Sequence, residues 1–168
     1  MLSEHVVQFY GQNERELLQH VRLFISQGLA RHEAVLVITN ARRRDALFEG
    51  LDLAQTPDLT AVESTSLRDR LYQDGPINAE RFEAHVGSLI RRLSARARSR
   101  GLRVYGDMVG ELWNSGRRQD AIEIERYWND LQAQVPFTLY CAYFIEAQDI
   151  GTDAVAPVLL EHSALVPA

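Results

Sequence analysis

The carboxylate of Asp107 is the first residue in this 168-residue chain whose type and setting suggest chemistry. Leu102 to Tyr105 reads as a short buried strand, Gly106-Asp107 as its end, and Met108 to Trp113 as the helix that follows at once. Ligands of open α/β sheets collect beyond the carboxyl ends of strands, so Asp107 is a candidate polar anchor. Asp is also a favoured helix N-cap, and the two readings are compatible. His5, Tyr10, Trp113 and Tyr143 add rings with polar tips. Such rings bury well when the tip finds a partner, and they line small-molecule pockets. Plain core packing is the alternative for each. Glu125, Trp128 and Asn129 share one helix face by their three- and four-residue spacings. A buried Glu125 would need partners, because its desolvation without them is costly; a surface helix with a half-buried Trp128 is the other reading.

Several chemistries are excluded or disfavoured. All eighteen basic residues are arginine and none is lysine, which removes phosphate-loop, Schiff-base and general-base lysines together. The pattern G-x-x-x-x-G-K-[ST] is absent, and the turn Gly11-Gln12-Asn13 is too poor in glycine for a dinucleotide fingerprint. A net charge of -5 argues against a nucleic-acid partner. The single cysteine, Cys141, permits no intrachain disulfide, which fits a reducing, cytoplasmic location. In a central strand it reads as an inert small hydrophobe, reactive only beside His or Arg. His5, His20, His32, His85 and His162 show no ligand-like spacing, so neither a metal site nor a cofactor is expected. Met1 to His5 shows no signal-peptide pattern, and no apolar run approaches the ~18 residues a membrane span needs. The basic run that includes Arg91, Arg92 and Arg96 offers a surface for an acidic partner, with a solvated helix face as the plainer reading.

The elements that must position these residues alternate strand and helix. Val6–Tyr10 reads as a strand, and Asn13 as the cap of a helix carrying Leu17, Leu18, Val21, Phe24 and Ile25 and ending near Gly28. Ala34–Thr39 is a continuous apolar run of the kind found in doubly covered parallel strands. Asn40 caps a helix through Leu51, with Ala46, Leu47 and Leu51 turned inward. Leu59–Glu63 is a weaker strand, and Ser64–Pro76 stays ambiguous. One long helix is expected over Asn78–Arg100, with Phe82, Val86, Leu89, Ile90 and Leu93 as its stripe. Another runs from about Arg118 to Gln134, followed by the last core strand, Phe137–Phe144, and a short helix around Ala154–His162. This pattern predicts one α/β domain over 1–168 with about five mostly parallel strands and helices on both faces. Its core covers about 4–147, and 148–168 forms a tail.

Some of these residues, taken in order, resemble a known family. They are His5-Val6-Val7-Gln8-Phe9-Tyr10, Gln27-Gly28-Leu29 before Ala34–Thr39, Tyr105-Gly106-Asp107-Met108-Val109, and Leu112-Trp113; Glu125, Trp128-Asn129 and Cys141-Ala142-Tyr143 complete the set. The chain resembles the MEDS domain, the sensory domain named for methanogens, methylotrophs and the DcmR regulator, over about residues 4 to 147. The resemblance implies a three-layer RecA/KaiC-like fold without its ATP-binding loop. It also implies a prokaryotic, non-enzymatic signalling module proposed to sense small hydrocarbon derivatives beside a histidine kinase or transcription regulator. The family's Tyr-Gly-Glu-Met pattern carries Asp107 here, one methylene shorter. No output domain follows in this chain, so a separate signalling partner is expected. Together these readings place a small organic ligand among His5, Tyr10, Asp107, Trp113, Glu125, Trp128 and Tyr143, and a partner protein at Arg91, Arg92 and Arg96. A ligand-free docking module is the alternative, with a kinase, a regulator or a second copy of the chain as its partner.

Overall fold

The computed structural model describes residues 3–149 and 153–167. Met1 and Leu2 of the amino-terminal reading, and residues 150–152 and 168 of the tail, lie outside them. Strands and helices alternate as β1 (His5–Tyr10), α1 (Arg15–Ala30), β2 (Ala34–Thr39), α2 (Ala41–Leu47), β3 (Leu59–Glu63) and α3 (Ser64–Tyr72). Then α4 (Ala79–Phe82) passes through a π-helical turn (Glu83–Gly87) into α5 (Ser88–Ala97). The chain continues as β4 (Leu102–Gly106), α6 (Met108–Asn114), α7 (Arg118–Gln132), β5 (Thr138–Phe144), α8 (Ala156–Leu160) and β6 (Ala164–Leu165). The strands form one sheet in the order β3-β2-β4-β5-β1-β6, and each pairing is parallel. This is a three-layer α/β architecture with six strands among the described residues. The sixth, β6, is only two residues long, too short to leave a sequence signal; it pairs with Val6 and Val7 of β1.

Alternation along the central strands feeds two cores. Val35 and Val37 of β2, Tyr105 of β4, and Tyr140 and Ala142 of β5 meet Leu17, Val21, Phe24 and Ile25 of α1. Leu36, Val104, Leu139, Cys141 and Tyr143 turn to the other face, under α3, the α4–α5 helix, α6 and α7. Of the expected stripe, Phe82, Val86, Ile90 and Leu93 are buried there, and Leu89 is half-buried against them. Because α1 and α2 cover one face and the remaining longer helices the other, every residue of β2 is buried.

Some boundaries differ from expectation. Helix α1 continues past Gly28 to Ala30. Gly28 serves close approach instead, since a Cβ there would lie 2.8 Å from Val35 Cγ2. Asn13 does not cap α1, although its Oδ1 accepts from Arg15 N. Asn40 does cap α2, accepting from Arg43 N at 2.9 Å. That helix stops at Leu47, and Leu51 is exposed. The ambiguous Ser64–Pro76 stretch contains α3, whose start is capped by Glu63 through Thr65 N and Ser66 N. Among the described residues no helix is long and apolar enough to cross a membrane.

Candidate functional sites

Asp107 follows β4 directly, and its backbone N–H donates to Ile38 O at the end of the neighbouring β2. This pairing turns the carboxylate toward the last residue of β2 and the first turn of α2. Asp107 Oδ2 accepts from Thr39 Oγ1 at 2.6 Å, Tyr105 OH at 3.0 Å and Arg43 Nη1 at 2.5 Å. It makes no side-chain cap for α6, so the capping reading gives way to a buried ion pair. Both partners are nearly inaccessible. Arg43 Nη2 reaches Tyr10 OH at 3.0 Å and Glu14 Oε1 at 2.8 Å. Burial works against the Arg43 cation, but Asp107, Tyr105 and Tyr10 together outweigh it and hold the guanidinium charged. Burial raises the Tyr10 and Tyr105 phenols, so both stay neutral, Tyr105 donating to Asp107 and Tyr10 accepting from Arg43. Beside them Glu111 accepts from Ser64 Oγ and Asn40 Nδ2, and its pKa is raised by burial and by Asp107. Two polar atoms of this cluster, Asp107 Oδ1 and Arg43 Nε, are buried without a hydrogen-bond partner among the described residues. A surface depression of about 370 Å³, lined by Glu14, Asn40, Arg42 and Arg43, opens at Arg43.

A second polar cluster lies between the sheet and α7. Glu125 is fully buried. Its Oε1 accepts from Tyr143 OH at 2.6 Å, and its Oε2 lies 3.1 Å from His5 Nε2 and 3.5 Å from Cys141 Sγ. His162 Nε2, from the segment after α8, stands 3.2 Å from Oε1. Asn129, one helical turn beyond Glu125, accepts from His5 Nδ1 at 2.8 Å and donates to Glu161 O. Burial opposes the charge on Glu125, but the His162 and His5 imidazoles outweigh it and hold the carboxyl well below the usual range. In turn burial, and then Glu125, pushes the Cys141 thiol and the Tyr143 phenol up.

The structure therefore divides the residues that the sequence placed in one pocket. Tyr10 and Asp107 meet at the carboxyl edge. His5 belongs to the other cluster, because it opens β1 and so sits at the sheet's amino end, opposite Leu139. Glu125 of α7 meets it, and Tyr143, near the carboxyl end of β5, reaches the same carboxylate through its hydroxyl. Trp113 is buried with its ring against Tyr143, centroids 5.9 Å apart. Its outer side floors a groove of about 470 Å³ with Ile122 and Pro157, and Arg118 lies over its ring. Trp128 reaches neither cluster; it is wedged between Phe82 and Phe137 as core. Of the expected partner surface, Arg91, Arg92 and Arg96 are exposed, and Arg91 is engaged by Glu83 and Gln134.

Residue spacing missed Arg43, Thr39 and His162. Within Ala41-Arg42-Arg43-Arg44 nothing distinguishes the inward arginine except its place three residues after the Asn40 cap. His162 lies too far along the chain from His5 for any spacing rule. Cys141, read as inert, has His5 Nε2 at 3.4 Å.

The fold and these clusters define a parallel three-layer α/β protein with polar groups gathered at the strand ends and beneath the sheet, and without a phosphate-loop sequence. The model of the MEDS family, the methanogen/methylotroph, DcmR sensory domain, matches residues 4–163. The chain belongs to that family, whose description gives it a sensory character. Among curated proteins no match was found.

Proposed function

We propose that this sensory domain works without catalysis, by holding a small organic molecule at the carboxyl edge of the sheet and passing the change to a signalling protein such as a kinase or transcription regulator. The observation that carries this reading is the buried Arg43–Asp107 pair. Arg43 lines an open depression, and its Nε donor and the Asp107 Oδ1 acceptor are buried without a partner among the described residues. Buried polar groups left unpaired cost free energy, so a ligand bearing both a donor and an acceptor, such as a small alcohol, amide or acid, recovers that cost. Its occupancy would bear on Arg43, and through it on Tyr10, Glu14 and the start of α2.

The test is thermal melting of the purified chain against small alcohols, halogenated and methylated one-carbon compounds, and fatty or aromatic acids. A ligand present at a hundred times its dissociation constant stabilises by about 2.7 kcal/mol, a shift of several degrees. Asp107→Asn, which retains the side-chain volume, should abolish it. A shift that survives Asp107→Asn and disappears with Ile122→Glu would move the site to the Trp113 groove. That second reading is favoured by the groove's apolar floor and by the stacked Arg118.

A further inference from the structure

Beneath the sheet, His5, Glu125, Cys141 and His162 bring two imidazoles, a carboxylate and a thiol to one point, with one ligand atom of each within 4.8 Å of all the others. We propose that this cluster is a binding site for a zinc-class divalent ion, with His5 Nε2, Glu125, Cys141 Sγ and His162 Nε2 as its four ligands.

Three of the four groups, His5, Glu125 and Cys141, already stand at the spacing of a coordination shell. A tetrahedral zinc with nitrogen and oxygen at about 2.0–2.1 Å and sulfur at about 2.3 Å has ligand-to-ligand edges of about 3.3–3.6 Å. Here His5 Nε2 stands 3.1 Å from Glu125 Oε2 and 3.4 Å from Cys141 Sγ, and Cys141 Sγ stands 3.5 Å from the same oxygen, while His162 Nε2 stands 3.2 Å from the other oxygen, Oε1.

The outer contacts fit as well. Metal-bound histidines usually donate their other ring N–H to an oxygen, which fixes the tautomer and aims the lone pair. His5 Nδ1 donates to Asn129 Oδ1 at 2.8 Å, and His162 Nδ1 to Val158 O at 2.6 Å. Both Nε2 atoms are thereby left to face Glu125. That of His162, whose side chain is 1 % exposed, is buried without a hydrogen-bond partner among the described residues. Two inward lone pairs against a carboxylate repel one another, and a metal ion among them relieves that repulsion as a proton on either ring also would.

Charge closes the account. One carboxylate, one thiolate and two neutral imidazoles balance a dication, so the buried centre becomes neutral overall. Binding releases the Cys141 thiol proton to solvent, as a coordinating thiol is deprotonated by its metal. Four protein ligands leave no open position, which is the pattern of a structural rather than a catalytic ion. The ion would fasten the segment carrying His162 to α7 and to the two strands β1 and β5. This inference does not depend on the ligand proposed at Asp107, and its readout is the ion itself.

The experiment uses the untagged full chain, stripped with a chelator and titrated with zinc and then with cobalt. One equivalent of zinc should bind. Cobalt should give the visible bands of a tetrahedral site together with a near-ultraviolet thiolate charge-transfer band. Cys141→Ser should lose the charge-transfer band. Glu125→Gln and His162→Ala should weaken zinc binding at least as much as the outer-contact variant Asn129→Ala, expected to cost about 10–100-fold. Far-ultraviolet circular dichroism checks that each variant is folded. A folded parent chain that binds no equivalent of zinc and gives no cobalt spectrum overturns the proposal. So does a charge-transfer band that persists in Cys141→Ser.

Discussion

Asp107 and Arg43 show how much a single buried contact constrains this protein. Each is held by the other, and removing one partner of a buried pair strands the remaining charge, at a cost of about 3–5 kcal/mol. Asp107→Ala should therefore lower stability by that amount, measured by urea denaturation. The double variant Arg43→Met with Asp107→Leu should recover most of the loss, because apolar side chains of similar size can replace a buried ion pair at little cost. A double variant no more stable than Asp107→Ala would show that the pair is needed to hold β2 and β4 in register. Asp107 was legible in the sequence as a strand-end carboxylate. Arg43 was not, because its role depends on which of three consecutive arginines the Asn40 cap rotates inward.

Elements pack here through two devices, close approach and capping. Helix α6 lies directly on β5: a Cβ at Gly110 would fall well inside contact distance of Ala142 O and 3.1 Å from Tyr143 Cα. Backbone cannot yield as a flexible side chain does, so Gly110→Ala should destabilise by about 1–3 kcal/mol, the usual cost of overpacking, as read from thermal melting. Helix α3 depends on Glu63, whose carboxylate accepts from Ser66 N at 2.8 Å and Thr65 N at 3.2 Å. These bonds, that of Ser66 foremost, hold its pKa below the usual range. A depressed folded pKa means that the cap contributes fully above the unfolded value, about pH 4.3, and is lost as pH falls through the folded value. Urea midpoints of parent and Glu63→Gln should therefore differ at neutral pH and converge in acid. A gap that is constant across this range would show that the charge of Glu63 contributes nothing to the cap.

At the scale of the whole molecule, the carboxyl edge is built for something other than a nucleotide triphosphate. The turn from β1 to α1 presents Glu14 toward Arg43, and Asp107 and Glu111 stand nearby. Phosphates placed there would meet carboxylates, with Arg43 already committed to two of them. ATP with magnesium should leave the melting temperature unchanged. A magnesium-dependent rise would mean that the arginines of α2 replace the missing lysine. The alternation of strands and helices announced this parallel sheet, whereas β6 and the π-helical turn within the α4–α5 helix left no mark that composition or spacing could show.

The sequence by itself determined the α/β class, the two-sided burial of β2, the stripe of the long helix and the absence of a lysine-based phosphate site. These are local matters, set by periodicity and residue type. Only the tertiary structure decided which distant residues meet. It separated His5 from Asp107, because β1 begins at one end of the sheet and β4 finishes at the other. It carried Trp128 into the core while Glu125 and Asn129, on the same helix, turned to His5. It also brought His162 from the tail to Glu125. Parallel connections cross over the sheet and return the chain to the same end, so neighbours across strands are tens of residues apart in sequence. Spacing rules read only along the chain and do not see such meetings.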